Sequence, residues 1–217
     1  MLSTNLYSGG VSQPKTRPRN RRGEGGRLRE DILRTAAELL DGGGEGAVTL
    51  RDIARIVGIS APSIYNHFAD RDAILLAVVQ QTFAELGAEL GAALDRAGPE
   101  PVTRLRAFCQ AYLNFSLERP QRYRILFGGL WNARQAPSVQ PQAADLGLDV
   151  FALLVETLRA CVRAGRSTST DPTADAAALW VALHGLAQLR TAASLFPWPE
   201  ELLERLTNRL AGLTPWP

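Results

Sequence analysis

Residues 49–72 read TLRDIARIVGISAPSIYNHFADRD, and this stretch decides the fold. Its first half places apolar residues at the three-and-four spacing that puts them on one face of a helix. These residues are Leu50, Ile53, Ala54 and Val57. Thr49 stands just before them as an N-cap, and Gly58 follows them with the freedom to adopt the left-handed conformation in which many helices end. The pattern predicts a short helix that begins after Thr49 and stops at Gly58.

A second helix is predicted directly after this turn. Ser60 is placed to cap it, and Pro62 falls in its first turn, where the missing N–H leaves no intrahelical bond unmade. At about 100° per residue the helix has an apolar side and an outward polar side. The apolar side holds Ala61, Ile64 and Phe68, and the outward side holds Pro62 and Asn66, flanked by Ser63, Tyr65 and His67. Two short helices joined by a glycine turn predict a helix-turn-helix.

The residues Tyr65-Asn66-His67-Phe68, followed by Arg71, resemble the signature of the TetR (tetracycline repressor) family over roughly residues 28–76. The family's usual lysine after this motif is Arg71 here, which keeps the positive charge. The resemblance implies an all-α fold, with an N-terminal three-helix helix-turn-helix DNA-binding domain followed by a larger helical ligand-binding and dimerisation domain. It also implies a ligand-responsive transcriptional regulator, most often a repressor released from a palindromic operator by a small apolar or aromatic molecule.

The same resemblance implies which residues contact double-stranded DNA. Thr49, Tyr65 and Arg71 are expected at phosphates with His67 bracing the backbone contact, Arg51 and Ser63 near bases or phosphates, and Pro62 and Asn66 facing the groove. A bidentate contact from Arg51 to guanine would discriminate by roughly 1–3 kcal/mol against a wrong base. The alternative for Tyr65 and His67 is that they only cover the top of the small domain.

Positive charge is concentrated at the start of the chain. The net charge is +2, but residues 1–29 hold seven basic residues and one acidic residue, so the rest is net negative. We predict three regions: a flexible basic arm over residues 1–26, the helix-turn-helix domain over 27–71, and the helical ligand-binding domain over 72–217. The arm is either a solvated tail or a segment that follows phosphates and inserts arginine into a minor groove.

Helical periods separated by proline and glycine continue along the whole chain, and no strand signal interrupts them. Predicted helices are 27–40, 70–97 with Asp70 as its cap, 102–119, 122–127, 143–164, 173–195 and 200–213; predicted loops are 41–46, 132–141 and 166–171. The helix that starts after Asp70 has the position to connect the two domains.

Trp180-Val181-Ala182-Leu183-His184-Gly185 resembles the Trp-x-x-x-His-Gly element of one group of TetR-family C-terminal domains. Trp180 and His184 lie one helical turn apart, so an indole and an imidazole are able to line the same cavity. The alternative is that both fill core positions. Further candidate ligand-binding residues are Tyr112, Phe115, Phe127, Trp131 and Phe151, whose alternative interpretation is also ordinary core.

A homodimer is expected, because a closed symmetric pair fits a palindromic operator whose major grooves lie about 34–36 Å apart. In the family, the last two helices pair with their twins as a four-helix bundle. Here those helices carry broad apolar faces, made by Leu179, Leu183, Leu186, Leu189 and Phe196 in one and by Leu202, Leu203, Leu206, Leu210 and Leu213 in the other.

Two rival classes are an all-α enzyme and a constitutive dimeric DNA-binding protein without a ligand. The chain has two histidines and no Ser-x-Gly elbow, phosphate-binding glycine loop or metal-ligand cluster, so we expect no enzyme activity, cofactor or metal. Cys109 and Cys161 are interpreted as small buried apolar residues. No apolar run approaches the ~18 residues of a membrane-spanning helix, which favours a cytoplasmic protein without membrane contact.

Overall fold

All regular structure is helical in the residues that the computed structural model describes, which are 25–127 and 143–214. The helices are α1 Gly25–Gly43, α2 Leu50–Val57, α3 Ala61–Ile64, α4 Arg71–Arg96, α5 Pro101–Glu118, α6 Pro120–Phe127, α7 Leu148–Arg163, α8 Pro172–Ala192 and α9 Leu202–Leu210. The predicted all-α class is confirmed. The predicted 132–141 loop, Trp131 and nearly all of the predicted arm lie outside the described residues.

Four of the described helices begin where a side chain accepts a hydrogen bond from the first turn. Such N-caps are Thr49 for α2, Asp70 for α4, Glu100 for α5 and Asp171 for α8. The helices α5, α6 and α8 also start with a proline, whose fixed φ suits the first helical position. At these helices the local signals explain why the predicted and observed starts agree within two residues.

Two local predictions were wrong. The stretch 41–46 was expected to be flexible, but α1 continues to Gly43 and residues Glu45–Ala47 form a 3-10 turn. The end of α1 is set by Gly44, which has a φ of 71° and donates its N–H to the Leu40 carbonyl at 2.9 Å. Ser60 occupies the N-cap position of α3 without a side-chain cap, because its hydroxyl is bonded to the Ser63 hydroxyl at 2.7 Å.

The long helix α4 lies at the centre of the molecule. It packs against α1 and also against α5, α6 and α7, and its buried residues include Ile74, Val78, Leu86 and Leu90. By length and composition it is apolar enough to cross a membrane, but these apolar side chains are buried against neighbouring helices, as in a core helix. The helix therefore contacts α1 on one side of the fold and the C-terminal helices α5 to α7 on the other.

The two C-terminal helices cover their own core. Leu179, Leu183 and Leu186 are buried, and the apolar side of α9 packs against α5 and α8. The partly buried apolar residues of this side are Leu202, Leu203, Leu206, Leu210 and Leu213. Most of these apolar residues therefore pack within one chain, whereas Leu189 and Phe196 of the predicted interface remain exposed, and pairing of these helices with a second copy stays a prediction. Val181 of α8 is exposed as well.

Candidate functional site

The turn between α2 and α3 is closed by backbone hydrogen bonds. Gly58 adopts φ 78° and ψ 35°, a conformation that glycine reaches without the strain that a Cβ would cause. In this conformation the N–H groups of Gly58 and Ile59 both lie 2.9 Å from the Ala54 carbonyl. The turn thereby ends α2 and starts the segment that carries the exposed polar side chains.

That segment is regular helix for four residues and then continues in single turns. The Tyr65 N–H bonds the Pro62 carbonyl at 3.3 Å, and the Phe68 N–H bonds the Ile64 carbonyl at 3.0 Å. Ile64 and Phe68 are buried, and the Arg29 guanidinium lies 4.8 Å from the centre of the Phe68 ring. Because so short a helix gains little from its own hydrogen bonds, packing of these two side chains holds it in place.

Polar groups on this segment face outward. Tyr65 is 58% exposed, Pro62 and Asn66 are also exposed, and Ser63 and His67 are half-buried. Side chains of this kind on one short helix suit contacts to phosphates and base edges. The structure thus presents Pro62, Tyr65 and Asn66 to solvent as the sequence pattern predicted.

Thr49 and Arg51, at the start of α2, are exposed as well. The Thr49 hydroxyl accepts from the Asp52 N–H at 3.1 Å and donates to the Asp52 carboxylate at 2.7 Å. This hydroxyl and the nearby Arg55 guanidinium lower the pKa of Asp52. A phosphate that binds the Thr49 hydroxyl must therefore replace its bond to Asp52.

Arg71 joins the start of α4 to the residue before Thr49. Its Nε donates to the Val48 carbonyl at 2.7 Å, and the side chain is half-buried. The predicted phosphate contact of Arg71 is not tested by this bond and stays a prediction. The bond itself links the helix-turn-helix to the central helix α4.

A cavity of about 440 Å³ lies between α6, α7 and α8, in the size range of small-molecule sites. Its lining consists of Phe127, Leu146, Gly147, Leu148, Phe151, Ala177, Trp180, Val181 and His184. All of these residues except His184 are apolar or carry a large aromatic surface. The lining therefore favours an apolar ligand with few polar groups.

Four of the predicted ligand-binding residues meet at this cavity: Phe127, Phe151, Trp180 and His184. Tyr112 is buried behind them, with its hydroxyl bonded to Trp180. Phe115 is buried apart from the lining, with the Arg119 guanidinium 5.3 Å from its ring centre.

Sequence reasoning missed the aliphatic half of the lining. Ala177 and Val181 precede Trp180 and His184 by three residues on α8, so extending the helical spacing of the Trp-x-x-x-His pair would have found them. Leu146, Gly147 and Leu148 precede or begin α7 and carry no comparable signal. Tertiary packing alone brings them to the cavity.

A buried chain of hydrogen bonds runs behind the cavity. The Trp180 indole donates to the Tyr112 hydroxyl at 3.2 Å, the Tyr112 and Tyr123 hydroxyls lie 3.2 Å apart, and the Tyr123 hydroxyl lies 2.7 Å from His184 Nδ1. Burial raises the pKa of Tyr112 to about 12 and raises that of Tyr123 as well. Burial also lowers the pKa of His184. Both phenols and the neutral imidazole are therefore the stable forms near neutral pH.

Arg122, next to Tyr123 on α6, contacts the other end of the molecule. Its guanidinium pairs with Glu85 of α4, and its Nε lies 3.4 Å from the Asp41 carboxylate of α1. The helix α6 thus touches the cavity through Phe127 and touches α1 and α4 through Arg122. It is positioned to transmit a change at the cavity to the helix-turn-helix side of the molecule.

Position 147 in the cavity wall has a backbone conformation and a close neighbour that only glycine accommodates. It has a φ of 76°, and a Cβ built there would lie 2.7 Å from Phe83 Cε1. We expect Gly147→Ala to lower the free energy of unfolding by about 1–3 kcal/mol, because it adds backbone strain and a steric clash. Urea denaturation measures this change.

The matched control is Gly91→Ala in α4, where a Cβ meets no atom within 4 Å and replacing a helical glycine should be neutral or stabilising. Equal effects of the two substitutions would contradict this role of Gly147.

Two family models match the chain. The model described as bacterial regulatory proteins, tetR family, matches residues 32–78, and the model described as tetracyclin repressor-like, C-terminal domain, matches residues 105–211. Together they span most of the chain. The first covers α2, α3 and the turn between them, and the second covers all the residues that line the cavity.

Similar proteins agree with these matches. The chain is 32% identical over 120 residues to the HTH-type transcriptional activator FasR of Mycolicibacterium smegmatis, which is 55% of this chain and 52% of that protein. It spans about half the length of the curated relatives it matches.

Solved structures show the same fold over most of the chain. A protein of unknown function from Rhodococcus sp. RHA1 superposes with a TM-score of 0.72 and 26% identity, over 87% of this chain and 95% of the other. A regulatory protein in the tetR family from Rhodococcus RHA1 gives 0.65 and 21%, over 87% and 99%. By its two family models and its fold, the chain belongs to the TetR family of bacterial regulatory proteins.

Proposed function

We propose that this protein is a ligand-responsive transcriptional regulator that represses from a palindromic operator and is released by a small apolar or aromatic molecule. One observation carries the proposal: the same fold presents an exposed polar helix-turn-helix surface and an open apolar cavity, with α4 and α6 between them. A DNA-binding regulator of this kind acts in the cytoplasm, where its operator lies.

The DNA-contacting surface in this proposal consists of Thr49, Arg51, Pro62, Ser63, Tyr65, Asn66, His67 and Arg71. Its support is the exposure of the first residues of α2 and of the outward side of α3, together with the family match over residues 32–78. Phosphate contacts would position the protein, and contacts from the groove-facing side chains would give sequence preference.

The effector site in this proposal is the cavity between α6, α7 and α8. We assign the C-terminal domain to the group that carries the Trp-x-x-x-His-Gly element, because Trp180 and His184 both line this cavity. The effector-binding residues are then Phe127, Phe151, Trp180 and His184. Tyr112 acts from behind by holding the indole of Trp180.

We propose that the protein acts as a homodimer. Val181 is 73% exposed and Leu189 is also exposed on α8, and pairing with a second copy would remove this apolar surface from water. A two-fold dimer presents two helix-turn-helix surfaces with the symmetry of a palindrome.

Coupling between the cavity and DNA is proposed to pass through α6. We expect Arg122→Met to leave effector binding intact but to reduce severalfold the effect of bound effector on operator affinity, because Glu85 and Asp41 lose their common partner. Couplings of this type are typically about 1–3 kcal/mol. The measurement is the ratio of operator dissociation constants with and without a saturating cavity ligand.

A matched control for this substitution is Arg124→Met. Arg124 is exposed on the same helix and bonds Gln121 within it at 3.4 Å. Its replacement should keep the wild-type ratio. If Arg122→Met also keeps the wild-type ratio, α6 does not couple the two sites through this residue.

The experiment that tests the function combines a thermal-shift screen with DNA binding. A cavity ligand stabilises the folded protein by mass action, so compounds that raise the melting temperature are candidate effectors. The proposal expects such a compound to weaken binding to DNA taken from the neighbourhood of the protein's own gene. A protein that binds DNA but responds to no compound would be a constitutive dimeric regulator, and one that binds no DNA would reopen the possibility of an enzyme.

A second candidate outcome is activation instead of repression, since the relative FasR is named as an activator. A reporter gene placed behind the bound DNA separates the two outcomes. Deletion of the regulator raises expression under repression and lowers it under activation.

A further inference from the structure

In the hydrogen-bond chain behind the cavity, only one assignment of donors and acceptors gives every N–H and O–H an acceptor. The Trp180 indole nitrogen is a donor only, so the Tyr112 hydroxyl oxygen accepts from it. Within the described residues, the remaining partner of the Tyr112 hydroxyl is Tyr123, so the Tyr112 proton points to Tyr123. The Tyr123 proton is then directed to His184 Nδ1.

The reverse direction is disfavoured by burial. If His184 Nδ1 donated to Tyr123 and Tyr123 donated to Tyr112, the Tyr112 proton would have no acceptor among the described residues. Tyr112 is almost fully buried, and a buried donor without an acceptor is costly. The neutral imidazole of His184 therefore carries its proton on Nε2.

His184 Nε2 is available to a ligand. His184 lines the cavity, and its Nδ1 faces away toward Tyr123. The hydrogen bond that the structure gives His184 within the described residues is the one at Nδ1, which leaves Nε2 for a ligand. The other lining residues offer apolar side chains, and the Trp180 N–H is already used by Tyr112. The Nε2–H is thus the side-chain donor that the described lining presents.

We propose that the cavity selects an uncharged apolar molecule with one hydrogen-bond acceptor, a ketone, ester or amide oxygen, which accepts from His184 Nε2–H. This inference rests on the proposed function for the site and adds the chemistry of the ligand. Tyr123 is the positioning residue, because its hydroxyl sets the tautomer of His184.

A charged ligand is disfavoured by the same surroundings. Burial lowers the pKa of His184, so the imidazole does not supply a positive charge near neutral pH. The lining that the structure describes includes no lysine or arginine. A carboxylate brought into this cavity would lose its hydration without gaining a cation.

The first test needs no ligand and no DNA. Ring nitrogen NMR shifts report which nitrogen of a neutral histidine holds the proton, and the chain has two histidines, so a His184→Phe variant assigns the spectrum. The expected result is a protonated Nε2 and an unprotonated Nδ1 for His184. A protonated Nδ1, or a doubly protonated ring at neutral pH, would overturn the inference.

The second test compares three probes by calorimetry: benzophenone, diphenylmethane and diphenylacetate. Benzophenone and diphenylmethane share size and shape but differ in the acceptor oxygen. We expect benzophenone to bind about 3- to 10-fold more tightly than diphenylmethane, the range of one hydrogen bond, and diphenylacetate to bind most weakly. Equal binding of the first two, tightest binding of diphenylacetate, or binding of none of them would overturn the inference.

Two variants show whether the His184 Nε2–H donor, and the tautomer that places it there, cause the difference in affinity between benzophenone and diphenylmethane. His184→Phe should bring benzophenone and diphenylmethane to equal affinity, and Tyr123→Phe should shrink the difference because Nδ1 is then free to take the proton. An unchanged difference in either variant would contradict the assignment. These measurements omit DNA and therefore test the ligand chemistry separately from the proposed function. If they give the expected results but a filled cavity does not weaken operator binding, the proposed function is refuted and the ligand chemistry is not.

Discussion

Replacing both Tyr65 and Asn66 by alanine is expected to weaken operator binding by at least ~30-fold. A contact to a base or phosphate lost at each position costs roughly 1–3 kcal/mol, and the two side chains extend into solvent from the turn that directly follows α3. The free energy of unfolding should change by no more than about 0.5 kcal/mol, because exposed side chains contribute little to stability. Fluorescence anisotropy with labelled operator and urea denaturation measure the two effects.

The control for this double variant is Gln80→Ala, a position on α4 that is also exposed. It should bind operator like the wild-type protein. Tyr65→Phe separates the phenol ring from its hydroxyl, since it keeps the ring and removes the group expected at a phosphate. Wild-type operator affinity in the Tyr65 and Asn66 double variant would show that this side of α3 does not contact DNA.

The second large effect is expected for Ile64→Ala, at about 2–5 kcal/mol of unfolding free energy. Ile64 is 0% exposed and lies in a helix of four residues, so the segment that carries Tyr65 and Asn66 depends on its packing. Operator binding should be lost along with local stability. Urea denaturation measures the first effect, and faster amide hydrogen exchange in α2 and α3 would localise it.

Ile56→Ala is the matched control, because it removes the same atoms from a side chain that is 47% exposed on α2. Its cost should stay below about 1 kcal/mol, since little apolar surface returns to water. Similar costs for the two substitutions would mean that Ile64 does not anchor α3.

The helix-turn-helix could be predicted from the sequence because its signals are local. Thr49 caps α2, Gly58 ends it, and the spacing of apolar residues marks the buried side of each segment, with Ile53 and Ala54 in the first and Ile64 and Phe68 in the second. The pair of Trp180 and His184 was predictable for the same reason, since both lie on one helix. The structure places these residues where the local patterns predicted, except that Ser60 does not cap α3 with its side chain.

The parts that sequence reasoning missed depend on tertiary packing. Phe115 and Phe127 look alike as aromatic candidates, yet Phe127 lines the cavity and Phe115 is buried elsewhere. The contact of Tyr123 with His184 joins residues 61 positions apart. The leucines of α9 form a regular apolar stripe, which packs against α5 and α8 of the same chain. The spacing of these leucines in the sequence does not show which helices they contact.

The most direct measurement is selection of DNA sequences by the purified protein from a random pool. The proposed function predicts enrichment of one palindrome whose half-sites lie about 34–36 Å apart centre to centre, with two protein chains bound to each duplex. The double variant of Tyr65 and Asn66 should enrich nothing under the same conditions. Recovery of no common sequence by the wild-type protein, or of a single half-site bound by one chain, would contradict a dimeric operator-binding regulator.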